Sequence, residues 1–290
     1  MRIGVGLPAA VPGAAATTVG EWAAHSERLG FRSVGVLDRL VYDNLDPLIA
    51  LAAAAERTER VELLTTVLTV PYRQNAVVLA KQLASLDELS GGRLTTGLAL
   101  GGWPEDFAAS ELPVTGRGKT FEAMLATMRR VWSGEVEGAA GQMPALAVRP
   151  GLLIGGLVAA SFARVARLAE GWVAPFFGYD TLREGITGAR RAWEEAGRAG
   201  RPRVVAARYF CLGAAAKQIA DEYLLHYYGR EYFAAARADT STGAEELEAE
   251  LSRLAAAGCD DVVLFPCSGD LGQVDLLARA VADRLREDSR

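Results

Sequence analysis

Cysteine and histidine are scarce in this chain. Cys211, Cys259 and Cys267 are the cysteines, and His25 and His226 the histidines, in 290 residues. The cysteines show no CxxC spacing, and an odd, sparse set fits a reducing compartment and no disulfide frame. Two histidines are too few for a histidine-based metal site, which argues against a metal hydrolase. No apolar run reaches the ~18 residues needed to span a bilayer, so no membrane association is expected. The start, Met1-Arg2-Ile3-Gly4-Val5, reads as a strand, without the basic stretch and apolar core of a signal peptide. A cytoplasmic protein is the expectation. Basic runs are absent and the net charge is −5, so no nucleic-acid groove is expected. No GxGxxG follows the first strand, and no nucleophile elbow or Ser-His-Asp arrangement is visible.

What is present is a large apolar fraction. Half of the residues are hydrophobic and 23% are charged, as in a soluble protein with a sizeable core. Short β-rich runs lie at Arg2–Pro8, Ser33–Leu37, Val61–Val70, Leu94–Leu100, Leu152–Gly155, Gly171–Val173, Val204–Gly213 and Asp261–Pro266. They are apolar on both faces, as parallel strands covered by helices must be. Between them, helix-period stripes mark Thr17–Leu29, Val77–Leu89, Arg117–Trp132, Glu245–Ala256 and Val274–Leu285. Gly30, Gly91, Gly197 and Gly258 stand where left-handed C-caps belong. The alternation predicts an α/β fold, a single (β/α)8 TIM barrel over residues 1–290, with a doubly wound open sheet as the alternative. The stretches Trp103–Gly116 and Gly134–Gly151 interrupt the rhythm.

Barrels carry their chemistry on the loops that follow the strands. That rule selects Asp38-Arg39, Pro71-Tyr72-Arg73-Gln74-Asn75, Gly101-Gly102-Trp103 and Gly155-Gly156. Asp38 is read either as a hydrogen-bonding partner or proton relay for a cofactor, or as a loop carboxylate paired with Arg39 or capping a helix. Arg73 is read either as an anion contact or as a solvated loop residue. Gly101 and Gly102 admit a flat ligand, although a tight turn explains that pair equally; Gly155-Gly156 before a helix is better placed and suits a phosphate, with a simple turn as the alternative. His25 lies mid-helix and His226 on a later helix, both read as structural. The stripe Tyr223, Tyr227 and Tyr232 reads as packing. The cysteines lack an activating neighbour and read as inert. An inventory so poor in acid–base groups suits a cofactor that does the chemistry.

Longer segments then resemble a known family. Leu29-Gly30-Phe31-Arg32-Ser33-Val34 through Asp38, the run Ala80–Leu94 containing Leu86-Asp87-Glu88-Leu89-Ser90-Gly91-Gly92-Arg93, and Gly97–Trp103 followed by Phe107, Pro113, Arg117, Glu122 and Trp132 carry the likeness. Ile154-Gly155-Gly156 and Ala166–Trp172 continue it. Together they resemble the bacterial-luciferase-like superfamily of flavin- and deazaflavin-dependent oxidoreductases.

The resemblance implies reduced FMN or coenzyme F-420 at the strand C-termini. It implies a bulge at Thr66, Val67 and Leu68 under the ring, Asp38 near the ring, Gly101 and Gly102 beside it, and the phosphate at Gly155, Gly156 and Leu157. Leu157 and Arg39 depart from the family, which often has serine and histidine there, and the segment before the fifth barrel strand looks shortened. The implied function is an FMN-dependent monooxygenase fed by a separate flavin reductase. The alternatives are an F-420-dependent hydride transferase and a flavin-binding protein without turnover. Trp103, Phe107, Phe176, Phe177, Tyr179 and Tyr209 are candidates for a pocket holding a small hydrophobic or aromatic substrate. A homodimer is implied as well.

Overall fold

The computed structural model describes residues 1–142, 151–176 and 178–287. Its strands are, in chain order, β1 (Arg2–Gly6), β2 (Ser33–Val36), β3 (Glu62–Thr69), β4 (Leu94–Ala99), β5 (Glu137–Gly138), β6 (Gly141–Gln142), β7 (Gly151–Gly155), β8 (Gly171–Val173), β9 (Arg203–Phe210) and β10 (Asp261–Pro266). Eight of them close into a barrel in the order β1-β10-β9-β8-β7-β4-β3-β2. Every pairing in it is parallel, and β1 closes the ring by pairing with both β10 and β2. The open sheet is therefore excluded.

The helices are α1 (Val19–Arg28), α2 (Pro47–Glu56), α3 (Ala76–Leu89), α4 (Pro104–Ala109), α5 (Arg117–Trp132), α6 (Ala159–Leu168), α7 (Tyr179–Glu195), α8 (Ala216–Ala238), α9 (Ala244–Ala257), α10 (Gly272–Ala280) and α11 (Ala282–Glu287). Local chemistry sets several of their ends. Asp46 caps α2 by accepting from the Leu48 amide at 2.8 Å, with Pro47 in the first turn, and Asn75 caps α3 through the amides of Val77 and Val78. Gly30, Gly91, Gly197 and Gly258 all have positive φ after their helices, as expected.

All eight expected strands exist, with ends that differ by no more than three residues. The helix expected over Val274–Leu285 is two, because Val281 leaves helical geometry at φ −113°, ψ 17°. Part of the interrupting stretch before β7 is the small antiparallel hairpin β5–β6; residues 143–150 of that stretch lie outside the described residues. The long α8 bends at Gly229, whose φ of 64° and ψ of −177° are not helical.

The strands bury both faces because helices cover the outside and side chains fill the inside. Val204–Phe210 of β9 and Ser33–Val36 of β2 are buried throughout. Trp22, Trp172 and Phe121 are fully buried, and the Trp132 indole donates to the Ala80 carbonyl at 3.1 Å, tying α5 to α3. At the N-terminal ends of the strands the charges pair off. Arg203 grips Glu62 with two bonds of 2.7 and 2.8 Å and Asp261 with a third of 2.8 Å. Arg2 reaches Asp261 at 2.7 Å, and the Thr95 hydroxyl donates to Glu62 at 2.5 Å. That end of the barrel is a plug. The other end is open.

Candidate active site

A cavity of about 410 Å³ opens at the strand C-termini. Its floor comes from β3. The β3–β4 register slips between Thr66 and Leu68, so Val67 is the extra residue of a bulge, and the Thr66–Val67 peptide is cis. Thr66 and Val67 line the cavity. Leu68 does not: it points the other way and is fully buried in the outer core. The alternation of side chains along a strand requires that division.

Glycines leave the space above this floor empty. A Cβ on Gly155 would touch Val67 Cγ1 at 3.3 Å and Ala99 Cβ at 3.5 Å. Gly101 has φ +81°, and a Cβ there would strike Thr69 Cγ2 at 2.6 Å; at Gly156, with φ +129°, it would strike Ser161 Oγ at 2.4 Å. Both positions require glycine for backbone and space alike. Gly102 differs, because a Cβ there meets nothing within 4 Å.

The glycine run leads to the start of α6. Ser161 and Phe162 donate their amides to the Val158 carbonyl, so the amides before them are the unsatisfied donors of a helix N-terminus. No side chain caps it. Leu157 and Val158 are exposed at this lip, Leu157 by 46%. Ser161, one turn on, lines the cavity, as does Arg117 at the start of α5. Arg117 lies 5.8 Å from the Phe107 ring and has no ion pair among the described residues. The Trp172 indole donates to the Gly156 carbonyl at 2.8 Å and fixes the turn from behind.

Asp38 lines the opposite side, its side chain only 2% exposed. Both of its oxygens are engaged: Oδ2 accepts from the Thr69 amide at 2.8 Å, and Oδ1 from Arg73 Nη2 at 3.2 Å. Burial raises the Asp38 pKa above the usual carboxylate range, although Arg73 and the Thr69 amide oppose it. The sequence offered Arg39 as the partner of Asp38; the partner is Arg73. Arg73 is neither solvated nor free, because it also donates to Asp46 at 3.2 Å. Arg39 instead lies 3.8 Å over the Trp103 ring, with Glu105 accepting from Nη2 at 2.8 Å and Asp106 at 3.7 Å from Nε.

The remaining wall is aromatic. Trp103, Phe176, Tyr227 and Tyr228 line the cavity with Leu37. Arg208, buried and held by Glu250 at 2.7 Å, donates to the carbonyls of Pro175 and Phe176 and fixes that segment. Phe107 and Tyr209, expected in the wall, are each 1% exposed and stand behind it. Tyr209 packs 4.9 Å from Phe176. Tyr179 opens α7 under Arg253, away from the cavity, and Phe177 lies outside the described residues. Sequence reading missed Arg117, Ser161, Tyr227 and Tyr228 as cavity residues.

The other candidates fall elsewhere. His25 pairs with Asp275 at 3.0 Å on the outer helices, and His226 packs against Tyr42. All three cysteines are buried and unpaired in disulfides; burial pushes the Cys211 thiol up to about 11 and raises that of Cys267 well above its ordinary value. Among the described residues no cluster of His, Cys, Asp and Glu could hold a metal, and no helix is long and apolar enough to cross a membrane. A groove of about 630 Å³ between α6 and α7 shares Leu157 with the cavity but lies on the outer face, lined by mixed charges such as Asp180 and Arg183.

A bulged strand, a glycine-lined floor and a bare helix N-terminus now meet a match along the chain. The family model described as luciferase-like monooxygenase covers residues 1–286. The chain belongs to that family. An uncharacterized protein of Mycobacterium tuberculosis (strain ATCC 25618 / H37Rv) is 31% identical over 175 residues, 56% of this chain and 61% of that protein. The chain thus matches less than two thirds of that relative's length. An F420-dependent glucose-6-phosphate dehydrogenase of Amycolatopsis mediterranei is 37% identical over 103 residues, 33% of this chain and 29% of that enzyme. Among solved structures, the monooxygenase RslO1 from Streptomyces bottropensis superposes with a TM-score of 0.79 at 23% identity, covering 100% of both chains, and so shares the fold.

Proposed function

We propose that this luciferase-like protein is an oxidoreductase that holds reduced FMN or coenzyme F-420 in the cavity above β3. One observation carries the reading. A slot without side chains runs from the Val67 bulge over Gly155 and Gly156 to the unsatisfied amides of α6 and to Arg117, which has no ion pair among the described residues. A flat tricyclic ring fits a floor from which side chains are absent, and a phosphate fits a helix N-terminus with a cation beside it. Leu157 offers no hydroxyl, but Ser161 presents one to the same cavity.

Each residue then has a task. Val67 supports the ring from below. Asp38 is a positioning residue, because its oxygens hold the Thr69 amide beyond the bulge and Arg73. Arg117, Ser161 and the α6 amides hold the phosphate. Trp103, Phe176 and Leu37 keep water from the reacting face, which strengthens every polar interaction inside. The bound cofactor supplies the electron pair that this inventory of side chains lacks.

The partial relative among F420-dependent dehydrogenases supports hydride transfer to a small molecule as one branch. The family description supports oxygen insertion as the other, in which reduced FMN comes from a separate flavin reductase. A homodimer and a cytoplasmic location belong to the same proposal.

Fluorescence titration with FMN, reduced FMN and F-420 tests it. Micromolar binding of one of them is expected. Gly102→Leu should then weaken that binding at least about tenfold at unchanged thermal stability, since its side chain grows into open cavity, a loss of roughly 1.4 kcal/mol. No binding of any of the three below millimolar concentration, or full binding by the Gly102→Leu protein, would overturn the proposal.

A further inference from the structure

Arg39 is buried, its side chain 5% exposed, and its Nη2 donates to Glu105 at 2.8 Å. Glu105 is 45% exposed, so water screens its charge. The second carboxylate, Asp106, lies 3.7 Å from Nε and with its other oxygen accepts from the Val41 amide at 2.9 Å. Three aromatic rings stand close as well. The guanidinium carbon sits 3.8 Å over the Trp103 ring and 5.4 Å from the rings of Tyr42 and of Tyr227. A cation this close to an indole face, and this far from water, attracts the ring strongly.

The rings do not share the guanidinium equally. Arg39 is 3.8 Å from Trp103 and 5.4 Å from Tyr227, and the two rings are 6.3 Å apart, so Tyr227 lies on the Arg39 side of the indole. Tyr228 and Tyr232 meet the indole tilted or edge-on, at 6.2 and 6.3 Å, and neither stacks on it. Trp103 lines the cavity and Arg39 does not. The indole therefore stands between a buried cation and the cavity, one face on the guanidinium and the other turned to the ligand space. Gly102, just before it, keeps that space clear, since a Cβ there meets nothing within 4 Å.

We infer that Trp103, backed by Arg39, is a stacking platform for the substrate, and that the substrate it selects carries a neutral, electron-rich aromatic ring. A cation on one face draws the π electrons of the indole toward itself. The far face becomes less negative, and the positive potential reaches through the ring into the cavity, where little water screens it. A ligand ring stacked there gains in proportion to the electron density on its own face. Hydroxyl, alkoxy or amino substituents on an arene raise that density, whereas fluorine or nitro groups strip it. Histidine, which the resemblance leads one to expect at position 39, is mostly uncharged at neutral pH; arginine makes the charge permanent. This rests on reading the cavity as the substrate chamber of an oxidoreductase, and it adds the electronic class of the ring.

Toluene and pentafluorotoluene test the platform, because they have nearly the same outline, opposite ring quadrupoles and no hydrogen-bonding group. Ligand-observed NMR titration reads their affinities for the protein as purified and for its variants. The ratio of toluene to pentafluorotoluene affinity should be about twofold to fivefold higher in the wild type than in Arg39→Met, the worth of one cation–π contribution. Lost packing alone would lower both affinities together and leave the ratio where it was. Arg39→Lys, which keeps the charge without the flat stack, should hold part of the difference. Trp103→Leu removes the platform and should give the Arg39→Met ratio; Trp103 is half-buried, so this variant decides the matter if Arg39→Met folds poorly. The same ratio in the wild type and either of these two variants, or no detectable binding of either arene by the wild type, overturns the inference. If neither FMN nor F-420 binds while the arene preference holds, the oxidoreductase reading fails and the platform stands. If a cofactor binds and the ratio does not move, the platform fails and the oxidoreductase reading stands.

Discussion

At the N-terminal ends of the strands, Arg2, Glu62, Arg203 and Asp261 satisfy one another, with Thr95 adding a donor to Glu62. At the C-terminal ends, Arg117 has no ion pair among the described residues, the α6 amides have no cap, and glycines hold space open. The sequence invests similar residue types in both places and connects them oppositely. A face whose polar groups are already matched is stabilising, and a face whose donors converge on empty space is prepared for a ligand. The difference predicts that substitutions at one end change stability without binding, and at the other end binding with little stability.

The largest effect is expected at the plug. Arg203→Met leaves Glu62 and Asp261 partly buried beside only Arg2, and breaking such a network costs about 3 kcal/mol. The melting temperature should fall by roughly 6–12 °C, at 2–4 °C per kcal/mol for a chain of this size class. Affinity for FMN or F-420 should not change. A parallel loss of cofactor affinity would break the division between the two ends.

The same cluster gives a pH signature. Burial raises the Glu62 pKa, but its hydrogen bonds and pairing with Arg203 lower it more, so the net shift is downward. A carboxylate with a lowered folded pKa contributes stability that is complete above its unfolded value and is lost as the pH falls through the folded one. Glu62→Gln should therefore lose stability near neutrality and show a flatter acid limb below about pH 4.5 in pH-dependent denaturation. An unchanged acid limb would remove Glu62 from the acid response.

How much of this was legible in the sequence differs between the two ends as well. The strands were legible because parallel strands are apolar on both faces, and every expected one is present. The glycine pairs were legible because strand order fixes which ends face the site. Partnerships across loops were not. Asp38 and Arg73 are 35 positions apart, and nothing in their spacing prefers Arg73 to the adjacent Arg39. Phe107 and Trp103 are close in sequence, yet Trp103 lines the cavity and Phe107 is buried behind Gly101, because α4 turns between them. Tyr228 reaches the cavity from the far side of the barrel, which helix periodicity alone does not reveal. The small-residue floor is encoded locally, whereas the polar groups that would use it are assembled from distant segments.

Arg117→Ala sharpens the comparison from the open end. If Arg117 supplies a charge-assisted hydrogen bond to the phosphate, its removal costs about 1.5–3 kcal/mol of binding, roughly tenfold to a hundredfold in affinity. The loss should shrink as salt is raised, because a partly exposed charge is screened. Stability should stay within about 0.5 kcal/mol, since no ion pair is broken. Isothermal titration with FMN, or with F-420 if that is the ligand, at low and high salt reads both. Equal affinity in the two proteins would remove Arg117 from the phosphate site.

The smallest effect is expected at Leu157, at the α6 lip, where the resemblance leads one to expect serine. It is 46% exposed and packs little, so Leu157→Ser should change stability by no more than about 0.5 kcal/mol. The new hydroxyl would join Ser161 and the free amides around the phosphate. One net hydrogen bond is worth about 0.5–1.5 kcal/mol, so cofactor affinity should rise about twofold to tenfold. Riboflavin, which lacks the phosphate, should bind both proteins alike. A gain for riboflavin equal to that for FMN would mean the substitution merely opened the lip, and the phosphate would then have to lie elsewhere than at the bare end of α6.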